Sequence, residues 1–136
     1  MRNFRLDDES GHQEALFSWA GYNMQRMPEL EFLHHVPNGG KRDAATAVAL
    51  KRQGVKAGVP DIVLPAPRAE YHGLYIELKA GSNTTTAKQK RWLKFLRQQG
   101  YYTAVCYSWR LAAELIERYL LHTEELAKEQ ETITMR

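Results

Sequence analysis

Two carboxylates and one amine stand out against apolar neighbours. Asp61 sits in Val59-Pro60-Asp61-Ile62-Val63-Leu64, and Glu77 and Lys79 sit in Tyr75-Ile76-Glu77-Leu78-Lys79. An unpaired charge is costly to bury, so each carboxylate needs a partner. Carboxylate oxygens are hard donors that suit Mg²⁺ or Mn²⁺, and Mg²⁺ keeps several waters, so few protein ligands suffice. The backbone carbonyl of Leu78 could add a third oxygen. Lys79, held beside such a cation, could orient or deprotonate a water, or offset negative charge on a phosphate. The same residues also suit a plain salt bridge from Lys79 to Glu77 or Asp61, and a triplet as short as Glu-x-Lys does not separate the two readings.

Positioning these groups requires strands. Alternate residues of a strand share a face, so Tyr75, Glu77 and Lys79 point one way and Leu74, Ile76 and Leu78 point into the core. Asp61 and Glu77 are 16 positions apart, room for two neighbouring strands joined through Pro65–His72. Adjacent strands lie ~4.8 Å apart, so one cation can reach an oxygen from each.

The flanking elements follow from periodicity and punctuation. Ser10 and Gln13 have capping-box spacing and open a helix expected to reach Met27, before Pro28. Leu30 to Val36 reads as β and ends at the turn Pro37-Asn38-Gly39-Gly40. A second helix is expected from Asp43 to Gln53, stopped by Gly54. Strands are expected over Val59–Leu64 and Tyr71–Lys79. Thr85 or Thr86 caps a helix to Gln99, with Gly100 after it, and Gln89 falls on its Trp92/Leu93/Leu96 side. That places Gln89 toward the carboxylate pocket, although a solvated glutamine fits the same position. Tyr101–Tyr107 is β-rich, and the final helix is expected over Trp109–Leu121, with the charged tail Glu124–Glu131 either continuing it or frayed. The predicted order is α-β-α-β-β-α-β-α, a mixed α/β domain with a small central sheet flanked by helices.

Length and composition set the frame. A chain of 136 residues, 43% hydrophobic and 26% charged, suits one globular domain and excludes low-complexity or collagenous classes. Its single cysteine, Cys106, permits no internal disulfide and no multi-cysteine zinc module. No run approaches the ~20 apolar residues of a membrane span, and the acidic start is unlike a secretory signal, so the expected address is the cytoplasm.

Charge is segregated. Residues 1–35 carry three Lys/Arg and six Asp/Glu, residues 36–113 thirteen against four, and residues 114–136 three against six. Between Glu77 and Glu114 there is no acid, only Lys79, Lys88, Lys90, Arg91, Lys94, Arg97 and Arg110. A basic centre suggests a polyanion-binding surface, and a solvated helix face is the bland alternative. Lys88, Arg91 and Lys94 on one helix, and Lys51, Arg52 and Lys56 before the first carboxylate, are the candidate phosphate contacts. Asn38-Gly39-Gly40, followed by Lys41 and Arg42, could cradle a phosphate or be a plain turn. No base-reading motif is visible, so nucleic-acid binding would position a duplex rather than read its sequence.

The arrangement Pro60-Asp61 … Glu77-Leu78-Lys79 resembles the PD-(D/E)xK nuclease superfamily. More narrowly it resembles the VRR-NUC domain, the virus-type replication-repair nuclease. The likeness runs over about residues 11 to 120. It takes in Glu14, His35-Val36-Pro37-Asn38-Gly39-Gly40, Gly58-Val59-Pro60-Asp61, Tyr75-Ile76-Glu77-Leu78-Lys79-Ala80 and Gln89. The resemblance implies a restriction-endonuclease-like fold in which the Arg42–Gly54 helix is an insertion. It implies that Glu14, Asp61 and Glu77 hold a divalent metal and that Lys79 serves the water. It also implies a structure-selective DNA endonuclease acting on branched DNA such as four-way junctions or flaps, often viral and homodimeric. Two rivals retain the fold without catalysis: a nucleic-acid-binding module using the basic block, and an interaction subunit docking through its acidic C-terminal segment. Neither needs the Asp/Glu/Lys set.

Overall fold

The computed structural model describes residues 3–37 and 43–136. A five-stranded mixed sheet forms its centre, in the order β1(His34–His35), β2(Ile62–Leu64), β3(Leu74–Leu78), β4(Tyr102–Cys106) and β5(Ile133–Met135). The first three strands are antiparallel, and β3, β4 and β5 run parallel. Among the described residues four α-helices accompany the strands: α1(Glu9–Tyr22), α2(Ala44–Arg52), α3(Ala87–Gln98) and α4(Trp109–Leu121). The helix–strand order matches the sequence reading, with one strand added at the end. No helix among the described residues is long and apolar enough to cross a membrane.

The period of two on β3 sorts its faces. Leu74, Ile76 and Leu78 join Tyr102, Ala104 and Cys106 of β4 in the main core, beneath α1 and α4. Leu16 and Ala20 of α1, and Ala112, Ile116 and Tyr119 of α4, close that layer. The opposite face carries Glu77, Thr103 and Val105, and α3 packs over it with Leu93 and Leu96 buried. Glu77 and Lys79 are therefore enclosed, only 1% and 5% exposed.

Several boundaries differ from expectation. Asp8, not Ser10, caps α1, accepting from the Gly11 amide at 2.7 Å. The helix ends at Tyr22 rather than Met27, because Asn23 folds back and its Nδ2 donates to the Trp19 carbonyl. Pro28, with its helix-compatible φ, starts a 3-10 turn over Pro28–Phe32, so the Leu30–Val36 strand shrinks to His34–His35. Pro60 brings no N–H to a ladder, and β2 begins only at Ile62. The strand expected from Tyr71 begins at Leu74, where pairing with Leu64 starts. The charged tail does not prolong α4. After a 3-10 turn at Thr123–Glu125 it returns as β5 beside β4.

Candidate active site

Asp61 stands just before β2 and Glu77 on β3. The register Ile62↔Ile76 sets the two across from each other. Three bonds fix Asp61. Its carbonyl accepts from the Val36 amide at 2.8 Å and from His35 Nδ1 at 2.9 Å, and its Oδ2 accepts from the Leu78 amide at 3.0 Å. The backbone is thus clamped from β1 and the carboxylate from β3. In the sequence His35 stands out only as part of the His35-Val36-Pro37-Asn38-Gly39-Gly40 segment. Its positioning role was hidden because the bond spans 26 residues.

Gly58 sets the approach to Asp61. It has φ +91 and is buried, and a Cβ there would lie 2.8 Å from the Lys88 backbone. Only glycine permits that conformation with so close a contact. The loop after α2 is thereby seated on the first turn of α3.

Glu77 is held on one oxygen. Gln89 Nε2 donates to Glu77 Oε2 at 3.1 Å, and Lys79 Nζ lies 3.5 Å from the same oxygen. Glu77 Oε1 is buried and has no hydrogen-bond partner. Gln89 itself is locked by a capping box: its Oε1 accepts from the Thr86 amide at 2.9 Å while Thr86 Oγ1 accepts from the Gln89 amide at 3.1 Å. The glutamine at the third position of α3 thus serves both its helix and the carboxylate.

Burial pushes the Glu77 carboxyl up to about 8, the Asp61 carboxylate beside it adds to the rise, and Lys79 opposes it. A buried acid crowded by a second acid, with one oxygen unpartnered, is a setting that a divalent cation would suit. Asp61, Glu77 and the Leu78 carbonyl are all oxygen donors, the set that Mg²⁺ and Mn²⁺ take. The residues present therefore fit a divalent metal.

The remaining candidates are more dispersed. Glu14 is exposed on α1, a helix that packs against β3. It forms no three-ligand group with Asp61 and Glu77. Among the described residues the acidic and histidine side chains with all ligand atoms within 4.8 Å of one another are His122, Glu124 and Glu125, an exposed trio after α4. Lys51, Arg52, Lys56, Lys88, Arg91 and Lys94 are exposed. The Gly58 contact joins the first three to the start of α3 and hence to Lys88. Lys41 and Arg42, with the Asn38-Gly39-Gly40 turn, lie outside the described residues.

The VRR-NUC domain profile matches residues 5–109. A solved structure described as a VRR_NUC domain protein superposes with a TM-score of 0.70 at 31% identity, covering 82% of this chain and 87% of its own. No curated protein matches the chain. A profile spanning Asp61, Glu77, Lys79 and Gln89, and a neighbour alike in both sequence and fold, place this chain in the VRR-NUC family of nuclease-type domains.

Proposed function

We propose that the protein is a Mg²⁺- or Mn²⁺-dependent endodeoxyribonuclease that hydrolyses phosphodiester bonds in branched DNA, as a homodimer and in the cytoplasm. The observation that carries this reading is the division of labour at Glu77. Oε2 is occupied by Gln89 and Lys79, whereas Oε1 is buried without a partner beside Asp61. A structural salt bridge would not need that second oxygen left bare.

Asp61, Glu77 and the Leu78 carbonyl would hold the metal, and Glu14, implied as a ligand by the family resemblance, would join them only if its exposed side chain turned in from α1. Bound there, the ion supplies Lewis acidity toward the phosphate and lowers the pKa of a coordinated water. The chain's own residues do the rest. Gln89 keeps the Glu77 carboxylate from rotating and leaves Oε1 free to ligate. Lys79, buried and close to Glu77, donates toward or takes a proton from the solvent nucleophile and offsets charge gathering on the phosphate oxygens. The exposed cations on α2, its following loop and α3 hold the sugar-phosphate backbone without reading bases.

One such site cuts one strand. Symmetric cleavage of a four-way junction needs two, and two copies of this chain supply them. The experiment is cleavage of fluorescent four-way junctions and flaps with Mg²⁺, with Mn²⁺ and in excess EDTA. Asp61→Ala, Glu77→Ala and Lys79→Ala each abolish cutting on this reading. Full activity in EDTA or in the carboxylate variants rejects it. Salt-sensitive junction binding without cleavage under any metal favours the non-catalytic module. Light scattering tests the dimer, and a monomer mass at working concentration removes that part.

A further inference from the structure

A groove of about 670 Å³ runs along the flank of α3 away from Gln89, between that helix and β5. Lys90, Lys94 and Arg97 line it at i, i+4 and i+7, so they lie on one side of the helix. Across from them stand Thr132, whose hydroxyl pairs with the Thr103 hydroxyl at 2.8 Å, and Thr134, and Glu131 is the only acid among the described lining residues. Three cations against one acid, with hydroxyls opposite, is a wall built for an anion.

Arg97 is the buried member of the three. The residue is 8% exposed, and its guanidinium lies 4.2 Å from the Tyr102 ring centroid. Nη2 donates to the Glu129 carbonyl at 2.9 Å, but Nε and Nη1 are buried with no hydrogen-bond partner. The enclosed guanidinium stays charged, and its field adds to that of the exposed Lys90 and Lys94 along the groove.

The groove is also placed to matter. Val105 on its floor is the register neighbour of Glu77 on one side and of Thr134 on the other. Glu77 and Thr134 are therefore two strand spacings apart, roughly 10 Å. Thr85 lines the groove immediately before the cap from which Gln89 reaches Glu77, so the groove opens at the same end of α3 as the carboxylates. The helix separates the two pockets, and a chain passing from one to the other rounds its N-terminus.

We infer that the groove between α3 and β5 is a second nucleic-acid site that takes the phosphates of an unpaired DNA strand. The strand's descent from a cut branch point rests on the nuclease reading, whereas its binding does not. Capacity agrees with the ligand, because a cleft of this volume falls within the usual range for one compact ligand such as a short nucleotide stretch.

The test is binding of a 12-nucleotide oligothymidylate to the full chain in EDTA, read by fluorescence anisotropy, together with lysine acetylation mapped by mass spectrometry. The wild-type chain binds the oligonucleotide, and the bound strand shields Lys90 from acetylation. Lys90→Glu and Thr134→Glu, which place charge on the two walls, each weaken binding at least tenfold. Binding within twofold of wild type in both variants overturns the inference, as does absence of binding or of Lys90 shielding in the wild type. Shielding requires no variant, so it decides the matter even where a substitution unfolds the chain. A protein that passes these tests and cuts nothing with Mg²⁺ or Mn²⁺ loses the nuclease reading and keeps the groove.

Discussion

Asp61 Oδ2 accepts a hydrogen bond from the backbone amide of Leu78 at 3.0 Å. The first carboxylate is thus fastened to the residue that follows the second. This bond holds the acidic pair together against its own repulsion, and it means that Asp61 has both a structural and a chemical task.

The two tasks separate by substitution. Asp61→Asn keeps an oxygen acceptor for Leu78 and loses the charge. It should melt close to wild type while metal binding, read by isothermal titration, weakens and cleavage falls by about 10²-fold or more. Asp61→Ala also strands the Leu78 amide, with an added cost of about 1–3 kcal/mol of stability in denaturant unfolding. Equal stability of the two variants would show that the bond contributes nothing.

Glu77 makes a pH prediction for the metal-free protein. Its folded carboxyl is raised to about 8, above its ordinary value of 4.5. Between these values the folded state keeps a proton that the unfolded state has released. Stability in EDTA should therefore be greatest below about pH 4.5 as far as this group is concerned, fall as pH rises toward 8, and level off beyond. Glu77→Gln removes the slope. Metal binding at pH 7 should release a proton, seen as a buffer-dependent heat. A melting temperature that rises through this window in the wild type relative to Glu77→Gln contradicts the assignment.

Much of this was readable before the fold was. The alternation on β3, the Pro60-Asp61 approach and the α3 cap are local signals, and local signals survive in one sequence. The enclosure of Glu77 was not readable, because it depends on α3 lying over β4 and reaching Glu77 through Gln89. The His35–Asp61 bond was hidden for the same reason. The strand in the tail, which reads as helical or frayed from sequence, was hidden because β5 is only three residues long, Ile133–Met135, and gains its strand character from pairing with Ala104–Cys106. Arg97 looked like one more surface cation until the tail covered it through the Glu129 carbonyl.

Gln89 should reveal its double role through two replacements. Gln89→Ala loses its half of the capping box and the donor to Glu77 while the Thr86 cap on the backbone amide stays, with about 0.5–1.5 kcal/mol of stability lost per hydrogen bond removed. Gln89→Glu retains a capping-box residue but sets a third acid against Glu77. Its metal-free stability at neutral pH should drop further than at pH 5, and its cleavage rate should fall while α3 remains folded by circular dichroism. A Gln89→Glu protein as active as wild type would leave Gln89 only its helix-capping task.

Gly58 is the joint between the exposed cations and the carboxylates. Gly58→Ala meets both a φ of +91 and the Lys88 backbone, so a cost on the order of 1–3 kcal/mol is expected in chemical denaturation. Loss of cleavage should exceed loss of metal binding, since Asp61 retains its clamp from β1 while the loop that carries Lys56 shifts. Unchanged stability would mean that the loop is not seated on α3 in solution.

The phosphate contacts predict a salt signature. Asp43 and Asp61 bound an interval that holds Lys51, Arg52 and Lys56 and no acid. The α2 helix within it buries none of its residues, so its cations are free to meet a strand. Duplex binding in EDTA, measured from low to moderate salt, should weaken linearly in log–log form, with a slope of about −0.9 per phosphate neutralised. Replacing Lys51, Arg52 and Lys56 together by Ala should shallow that slope by roughly two to three and weaken binding at low salt by 10-fold or more. Lys128→Ala, in the acidic C-terminal segment, should leave the slope where it was. If the triple variant and Lys128→Ala behave alike, the α2 end is a solvated surface and the backbone contacts lie on α3 alone.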